Sequence, residues 1–143
     1  MKKKIVMMAI LLLAGSWAFS QCDKKVTWHT SKMEILDTTG KVIKYWTENS
    51  TVETSDKAFI ITPNQDAERK MTGTVQNILC NWKDRYKNGF TTFISEIHES
   101  SGEIKHGTIR IEAADNKMYL YMELKEMANM KFRVTIDSYE ENP

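Results

Sequence analysis

Apolar and polar residues alternate along the C-terminal part of the chain, residues 108–139. An alternation of period two is typical of a β-strand with one buried face. Segments 114–117 and 127–130 interrupt the alternation and are short enough to be hairpin connections. The pattern therefore predicts three consecutive antiparallel strands. Their apolar positions are Ile109/Ile111, Met118/Leu120/Met122/Leu124 and Phe132/Val134/Ile136.

The earlier chain contains further strand-like segments, at 25–36, 42–47, 57–62, 72–82 and 90–99. In the first of them the apolar face changes phase between Thr30 and Met33, which predicts a β-bulge. Pro63 ends the third segment, because proline has no N–H to donate to a ladder. Asn88-Gly89 predicts a type I′ hairpin turn. After residue 20 no segment has a long apolar period of about 3.6 residues, so we expect no substantial helix.

These segments predict an all-β fold: a single domain of about eight antiparallel strands, in an up-and-down barrel or a β-sandwich. In length, strand count and an early tryptophan, Trp28, the chain resembles the lipocalin architecture. The Gly-x-Trp motif of that family is absent, since Val26 and Thr27 precede Trp28. The resemblance is therefore one of barrel geometry and implies no family membership.

The first residues have the composition of a cleaved secretory signal. Lysines at positions 2–4 precede an apolar run at 5–13, and the small residues Ala18 and Ser20 follow. We expect residues 1–20 to be a signal peptide and residues 21–143 to be the mature β-barrel or β-sandwich domain, periplasmic or secreted. The apolar run is too short to cross a bilayer comfortably. We expect no integral membrane segment after cleavage.

The charge of the chain argues against nucleic acid as a partner. The sequence has 20 Lys and Arg against 19 Asp and Glu, a net charge of +1. Removing the three lysines of the signal leaves 17 basic residues against 19 acidic ones, a net charge of −2. Without a basic excess the mature chain has no electrostatic attraction for nucleic acid or anionic lipid.

Two cysteines, Cys22 and Cys80, remain after the signal. An exported chain meets an oxidising compartment, so we predict a structural disulfide between them. The alternative is a buried free thiol at Cys80 with a mobile Cys22. No Cys-x-x-Cys motif indicates a reactive thiol.

Glu96, His98 and His106 form a candidate metal group. Glu96 and His98 are two residues apart and share a strand face. A three-residue turn at 100–102 would set His106 opposite Glu96, whereas a two-residue turn would direct its side chain to the other face. The alternative is three surface residues beside a polar turn. We find no Gly-x-Ser-x-Gly motif and no Gly-rich phosphate loop, and expect no cofactor and no catalytic residues.

Aromatic residues and methionines are the candidate binding residues. Around Leu120 both strand faces are apolar or aromatic, with Met118 and Met122 on one and Tyr119 and Tyr121 on the other. A strand buried on one side does not need the second set. The first set could line a ligand cavity, and the tyrosines could contact a protein partner. A filled core with tyrosines covering the sheet is the third interpretation. The candidate ligand residues are Trp28, Trp46, Met118, Leu120 and Met122.

The sequence thus favours a non-enzymatic binding module that takes a small apolar ligand in a barrel. The alternative is an interaction or structural protein of the cell envelope, with a filled core and an exposed Tyr/Trp face that includes Tyr119 and Tyr121. A metal-dependent or acid/base enzyme built on Glu96, His98 and His106 is the third hypothesis.

Overall fold

The computed structural model describes Cys22 and residues 24–143, so the predicted signal peptide at 1–20 lies outside the described residues. The described residues form nine strands and three single-turn 3₁₀ helices, at Pro63–Gln65, Ala67–Arg69 and Lys125–Met127. The strands are β1 (Lys25–Leu36), β2 (Val42–Thr54), β3 (Ala58–Thr62), β4 (Met71–Thr74), β5 (Gln76–Asp84), β6 (Asn88–His98), β7 (Ile104–Ala114), β8 (Lys117–Leu124) and β9 (Lys131–Asn142).

Eight of these strands, β1–β4 and β6–β9, close into an up-and-down antiparallel barrel. Neighbours in the ring are neighbours in the sequence, except that β4 pairs with β6 and β1 pairs with β9. The additional strand, β5, follows β4 after a break at Val75 and pairs with the first half of β6. The predicted all-β fold is confirmed, and of the two predicted architectures the structure has the barrel.

The connections divide between two ends of the barrel. The open end carries the start of β1, the end of β9 and the short connections 55–57, 85–87 and 115–116. The closed end carries the connections 37–41, 63–70, 99–103 and 125–130, among them all three 3₁₀ helices. Because up-and-down strands alternate in direction, residues distant in sequence meet at each end.

The predicted bulge in β1 is present. Pairing of β1 with both β2 and β9 shifts register between Thr30 and Lys32. An extra residue in one strand reverses which side chains point inward. Val26, Trp28 and Thr30 are buried before the bulge, and Met33 packs against the core after it.

The predicted turn at Asn88-Gly89 is wrong. The turn occupies residues 85–87, and Asn88 and Gly89 begin β6. Tyr86 takes a left-handed φ of 56°, and its side chain is buried, with 6% exposed. Burial of this ring stabilises the fold by more free energy than two favourable backbone angles at Asn88-Gly89 would. Tertiary packing therefore sets the position of the turn.

The interior of the barrel is filled. Aliphatic and aromatic side chains from seven of the barrel strands, from β5 and from the 85–87 turn form one cluster, and Met71 of β4 packs against it. Phe59 and Ile109 are fully buried, and Leu120 is 1% exposed. Two small spaces that adjoin these side chains have volumes of about 20 and 30 Å³, about the size of one water molecule. Neither space is large enough, as it stands, for a ligand of several heavy atoms.

No helix in the described part of the chain is long and apolar enough to cross a membrane.

Candidate ligand site at the open end of the barrel

A polar network covers the closed end. The Trp46 Nε1–H donates to Glu48 Oε2 at 3.2 Å, and the Ser50 hydroxyl donates to Glu48 Oε1 at 3.3 Å. The Asn64 backbone N–H donates to Ser50 Oγ at 3.1 Å, and Arg69 lies 3.7 Å from Glu48. These contacts attach the 3₁₀ helices of the 63–70 connection to β2. Trp46, a predicted ligand residue, therefore belongs to the covering of the closed end.

Four aromatic rings, Trp28, Trp82, Tyr86 and Tyr139, pack together beneath the open end. Tyr86 is central, with ring centroids 5.1 Å from Trp28, 5.3 Å from Trp82 and 4.8 Å from Tyr139. All three contacts are close to edge-to-face, the geometry that aromatic pairs favour. The rings come from β1, β5, the 85–87 turn and β9, so the cluster joins four separate parts of the chain. We call it the aromatic cluster.

A cavity of about 360 Å³ lies beside this cluster. Its apolar wall contains the rings of Tyr86 and Tyr139 with Met118, Ile136 and Ala113. Its polar lining is Lys87, Asn116, Lys117, Asp137 and Ser138. An apolar wall with a few convergent polar groups is the usual composition of a small-molecule site, and the volume is within the usual range of roughly 300 to 1,000 Å³.

The protonation state of Tyr86, in the cavity wall, follows from the burial of its side chain. Burial raises the pKa of Tyr86, and a hydrogen bond from Arg85 Nη2 to its hydroxyl at 3.4 Å opposes that rise only in part. The phenol is therefore neutral at physiological pH. Arg85 in turn lies 3.3 Å from Glu141 of β9, which holds the turn against the end of the last strand. A neutral aromatic wall fixed in this way suits an apolar ligand surface.

The structure separates the five predicted ligand residues. Met118 lines the cavity, and Trp28 lies under it as a member of the aromatic cluster. Leu120 and Met122 are buried in the filled core, where no ligand-sized space adjoins them. Met118, Trp28 and the pair Leu120/Met122 thus border different spaces, and their role as ligand residues stays a prediction.

Sequence reasoning missed Tyr86 and Tyr139. The signal for Tyr86 was present, since it is a large aromatic residue in a turn where Lys83, Asp84, Arg85 and Lys87 surround it. An aromatic ring in so charged a segment indicates a buried contact with another part of the chain.

The tyrosines predicted for partner binding lie on the outer surface of β8. The ring centroids of Tyr119 and Tyr121 are 6.0 Å apart. Arg133 lies over Tyr119 at 5.4 Å, and Lys131 lies over Tyr121 at 5.0 Å. Both tyrosines are half-buried under these cations, and burial raises the pKa of Tyr121. Cation–π contacts within the chain thus occupy much of this face.

The residues of the candidate metal group are brought together on the outer surface near the closed end. Glu96 pairs with His106 across β6 and β7. Glu96 lies 3.0 Å from the His98 ring and 3.8 Å from the His106 ring. Glu126, which the sequence did not suggest, approaches His106 Nδ1 at 2.9 Å. Among the described residues, no group of three or more His, Cys, Asp or Glu is arranged to hold a metal ion.

The predicted disulfide between Cys22 and Cys80 is confirmed. It joins residues 58 apart in sequence, with the Cα atoms 6.2 Å apart. Cys22 borders a small space beside Val26, Trp28 and Tyr86, so the bond attaches the chain before β1 to β5 near the aromatic cluster. Disulfides are typical of proteins in oxidising compartments.

The chain matches no protein-family model, no curated protein and no solved structure.

Proposed function

We propose that this protein is a non-enzymatic binding module that takes a small ligand with an apolar body into the cavity at the open end of the barrel. The observation that carries the proposal is the composition of that cavity. Its apolar lining comes from Tyr86, Tyr139, Met118, Ile136 and Ala113, and polar residues complete the lining. Because the described core side chains pack closely together, we place the proposed site at the mouth of the barrel.

The rigidity of the wall also supports the proposal. Tyr86 packs against three other rings and accepts a hydrogen bond from Arg85. A wall that does not have to be ordered when the ligand arrives avoids part of the entropic cost of binding.

We also propose that the mature protein acts outside the cytoplasm, in the periplasm or after secretion. The N-terminal segment 1–20 has the pattern of a cleaved signal, and the Cys22–Cys80 disulfide requires oxidising conditions to persist.

Thermal unfolding with decanol, a neutral apolar probe, tests the binding proposal. A ligand that binds only the folded state raises the stability by an amount that grows with the logarithm of its concentration, about 2.7 kcal/mol at one hundred times Kd. We expect decanol to raise the Tm of the wild-type protein in this way. The variant Ser138→Phe fills the cavity from its exposed rim and should remove the effect.

Ser101→Phe is the matched control, because Ser101 is an exposed serine in the connection at the closed end. It should keep the full response to decanol. An absent response in the wild-type protein, or an equal response in Ser138→Phe, would contradict the proposal.

A second candidate function is an envelope interaction protein that uses the outer face of β8. Two observations favour this function. The core is filled, and a filled barrel needs no ligand to be stable. Tyr119 and Tyr121 also lie side by side on one outer face. Sedimentation of the wild-type protein and of the Tyr119→Ala/Tyr121→Ala variant tests self-association through this face. A wild-type monomer under all conditions would count against a second copy of the chain as the partner.

A further inference from the structure

The cavity at the open end is flanked by two lysines from different hairpins. Lys87 belongs to the connection between β5 and β6, and Lys117 is the first residue of β8 after the 115–116 turn. In that turn Asp115 and Asn116 have φ angles of 53° and 59°. Two such left-handed residues form the tight connection that positions Lys117 at the cavity. Two separate backbone turns thus bring a positive charge to the same small site.

Neither lysine forms an ion pair with any residue that the structure describes. Lys24 and Lys25, at the same end, do form ion pairs: Lys24 lies 3.7 Å from Glu141 and Lys25 lies 3.0 Å from Glu53. Asp137 also lines the cavity, yet within the described part of the chain it pairs with neither Lys87 nor Lys117. The two ammonium groups are therefore not neutralised by the one carboxylate that shares their cavity.

From this arrangement we infer that the ligand of the proposed site carries one negative charge, as a carboxylate at the end of an apolar body. This inference rests on the proposed binding function. The lining carries two positive charges and one negative charge, which leaves an excess of one positive charge for the ligand to balance. The aromatic and aliphatic wall contacts the apolar body, while the lysines at the rim contact the head group.

Asp137 restricts the chemical class of the ligand further. A group with two negative charges, such as a phosphate monoester, would bring its second charge near the Asp137 carboxylate without a third cation in the lining. Like charges in one site disfavour binding. Asn116 and Ser138 also line the cavity, and their amide and hydroxyl groups can donate hydrogen bonds to a carboxylate. A monocarboxylate with a hydrocarbon tail fits all these features.

Three probes with one tail and different heads test the inference: decanoate, decanol and decyltrimethylammonium. Calorimetric titration is carried out below the concentration at which any of them forms micelles. We expect decanoate to bind about ten-fold more tightly than decanol, because each exposed ion pair contributes up to about five-fold. Decyltrimethylammonium should bind most weakly. Added salt should weaken the binding of decanoate and leave that of decanol unchanged.

Lys87→Met and Lys117→Met keep the length of the side chain and remove its charge. Each should weaken decanoate about three- to five-fold, and the double variant should bind decanoate no better than decanol. Lys125→Met is the matched control, because Lys125 is an exposed lysine at the closed end. It should bind all three probes as the wild-type protein does.

The outcomes separate this inference from the function on which it rests. Equal affinities for decanoate and decanol, or a preference for decyltrimethylammonium, would overturn the inference and leave the binding module standing. A decanoate preference that survives in the double lysine variant would also overturn it. Absence of binding by all three probes would overturn the proposed function itself.

Discussion

The ring of Tyr86 stands edge-on to the ring of Trp28, with centroids 5.1 Å apart and ring planes at 86°. The contact joins the 85–87 turn to β1, two segments that share no ladder in the barrel. Together with the Arg85–Glu141 ion pair, it holds a turn of charged residues in place at the open end. The floor of the proposed site and the stability of that end therefore depend on the same ring.

Replacing Tyr86 by alanine should lower the free energy of unfolding by about 3 to 5 kcal/mol, because it leaves a cavity at the centre of four packed rings. Tyr86→Phe should cost far less, since among the described residues the hydroxyl has one hydrogen bond, the 3.4 Å contact with Arg85. Tyr45→Ala is the control, because this tyrosine is 66% exposed, and its loss should stay within about 0.5 kcal/mol. Equilibrium unfolding in urea measures all three, and equal losses at the two alanine positions would contradict the prediction.

Gly89 should be sensitive to the smallest possible substitution. It has a φ of +138°, and a methyl group there would overlap the carbonyl oxygen of Asn81 and the backbone of Trp82. We expect Gly89→Ala to cost more than about 2 kcal/mol, because neither backbone atom can move away without breaking the β5–β6 ladder. Gly102→Ala is the comparison, with a φ of +87° and open space around it. It should cost only the strain of the left-handed angle, about 1 kcal/mol. Urea midpoints that do not separate the two variants would contradict this account.

The fold could be predicted because alternation along each strand depends only on neighbouring residues. The period of two in β7, β8 and β9 and the change of phase between Thr30 and Met33 were visible in the sequence and correspond to strands and a bulge. The Asn88-Gly89 turn was predicted wrongly for the opposite reason. Its position depends on the burial of Tyr86 against Trp28, a contact between residues far apart in sequence.

The candidate site could be predicted only in part. Met118 and Trp28 could be predicted because a large apolar side chain on the inward face of a strand is usually buried. Lys87 and Tyr139 were not, because the cavity forms where two turns and β9 meet, and that meeting depends on the register around the whole barrel. Whether a barrel is hollow or filled depends on the volumes of side chains from all its strands, which no local pattern reports.

Glu34 and Arg133 form an ion pair on the outer surface that should contribute to stability. The bulge in β1 turns Glu34 outward, yet its side chain is only 7% exposed. Arg133 Nε donates to its carboxylate at 2.7 Å, and Lys32 donates at the same distance. The hydrogen bond from Arg133 holds the pKa of Glu34 below its usual value, although burial acts in the opposite direction.

Arg133→Met should lower the free energy of unfolding by about 1 to 3 kcal/mol, because it leaves a buried carboxylate with only Lys32 as its partner. The matched control is Arg110→Met. Its partner Glu112 is 36% exposed, and water can replace the lost contact, so the loss should be at most about 1 kcal/mol. Urea unfolding at neutral pH compares them. If both variants lose the same stability, the burial of Glu34 has no energetic consequence and the prediction is wrong.

Glu126 should make stability depend on pH in the acid range. The hydrogen bond with the His106 ring, and then that with the His106 backbone N–H, lower the pKa of Glu126 from 4.5 to about 2. A carboxyl group with a lower pKa in the folded state stabilises the fold when it is ionised. Its contribution is complete above about pH 4.5 and is lost as the pH falls towards 2.

Urea midpoints of the wild-type protein and of Glu126→Gln, measured from pH 6 to pH 2, test this. The wild-type protein should be the more stable at pH 6, and the difference should disappear near pH 2. Glu68→Gln, at another exposed glutamate of the closed end, should show no comparable trend. A difference that stays constant over the whole range would show that Glu126 acts through something other than its ionisation.

The Cys22–Cys80 disulfide should contribute more to stability than any of these side-chain contacts except the ring of Tyr86. It closes a loop between residues 58 apart, and in the chain-entropy model such a loop contributes about 4 kcal/mol, chiefly by restricting the unfolded chain. The variant Cys22→Ser/Cys80→Ser should therefore unfold at a much lower urea concentration. A reducing agent should bring the wild-type protein to the level of the variant and leave the variant unchanged. Alkylation followed by intact mass measurement supplies the independent check, because two free thiols in the native, unreduced protein would contradict the prediction whatever the urea midpoints show.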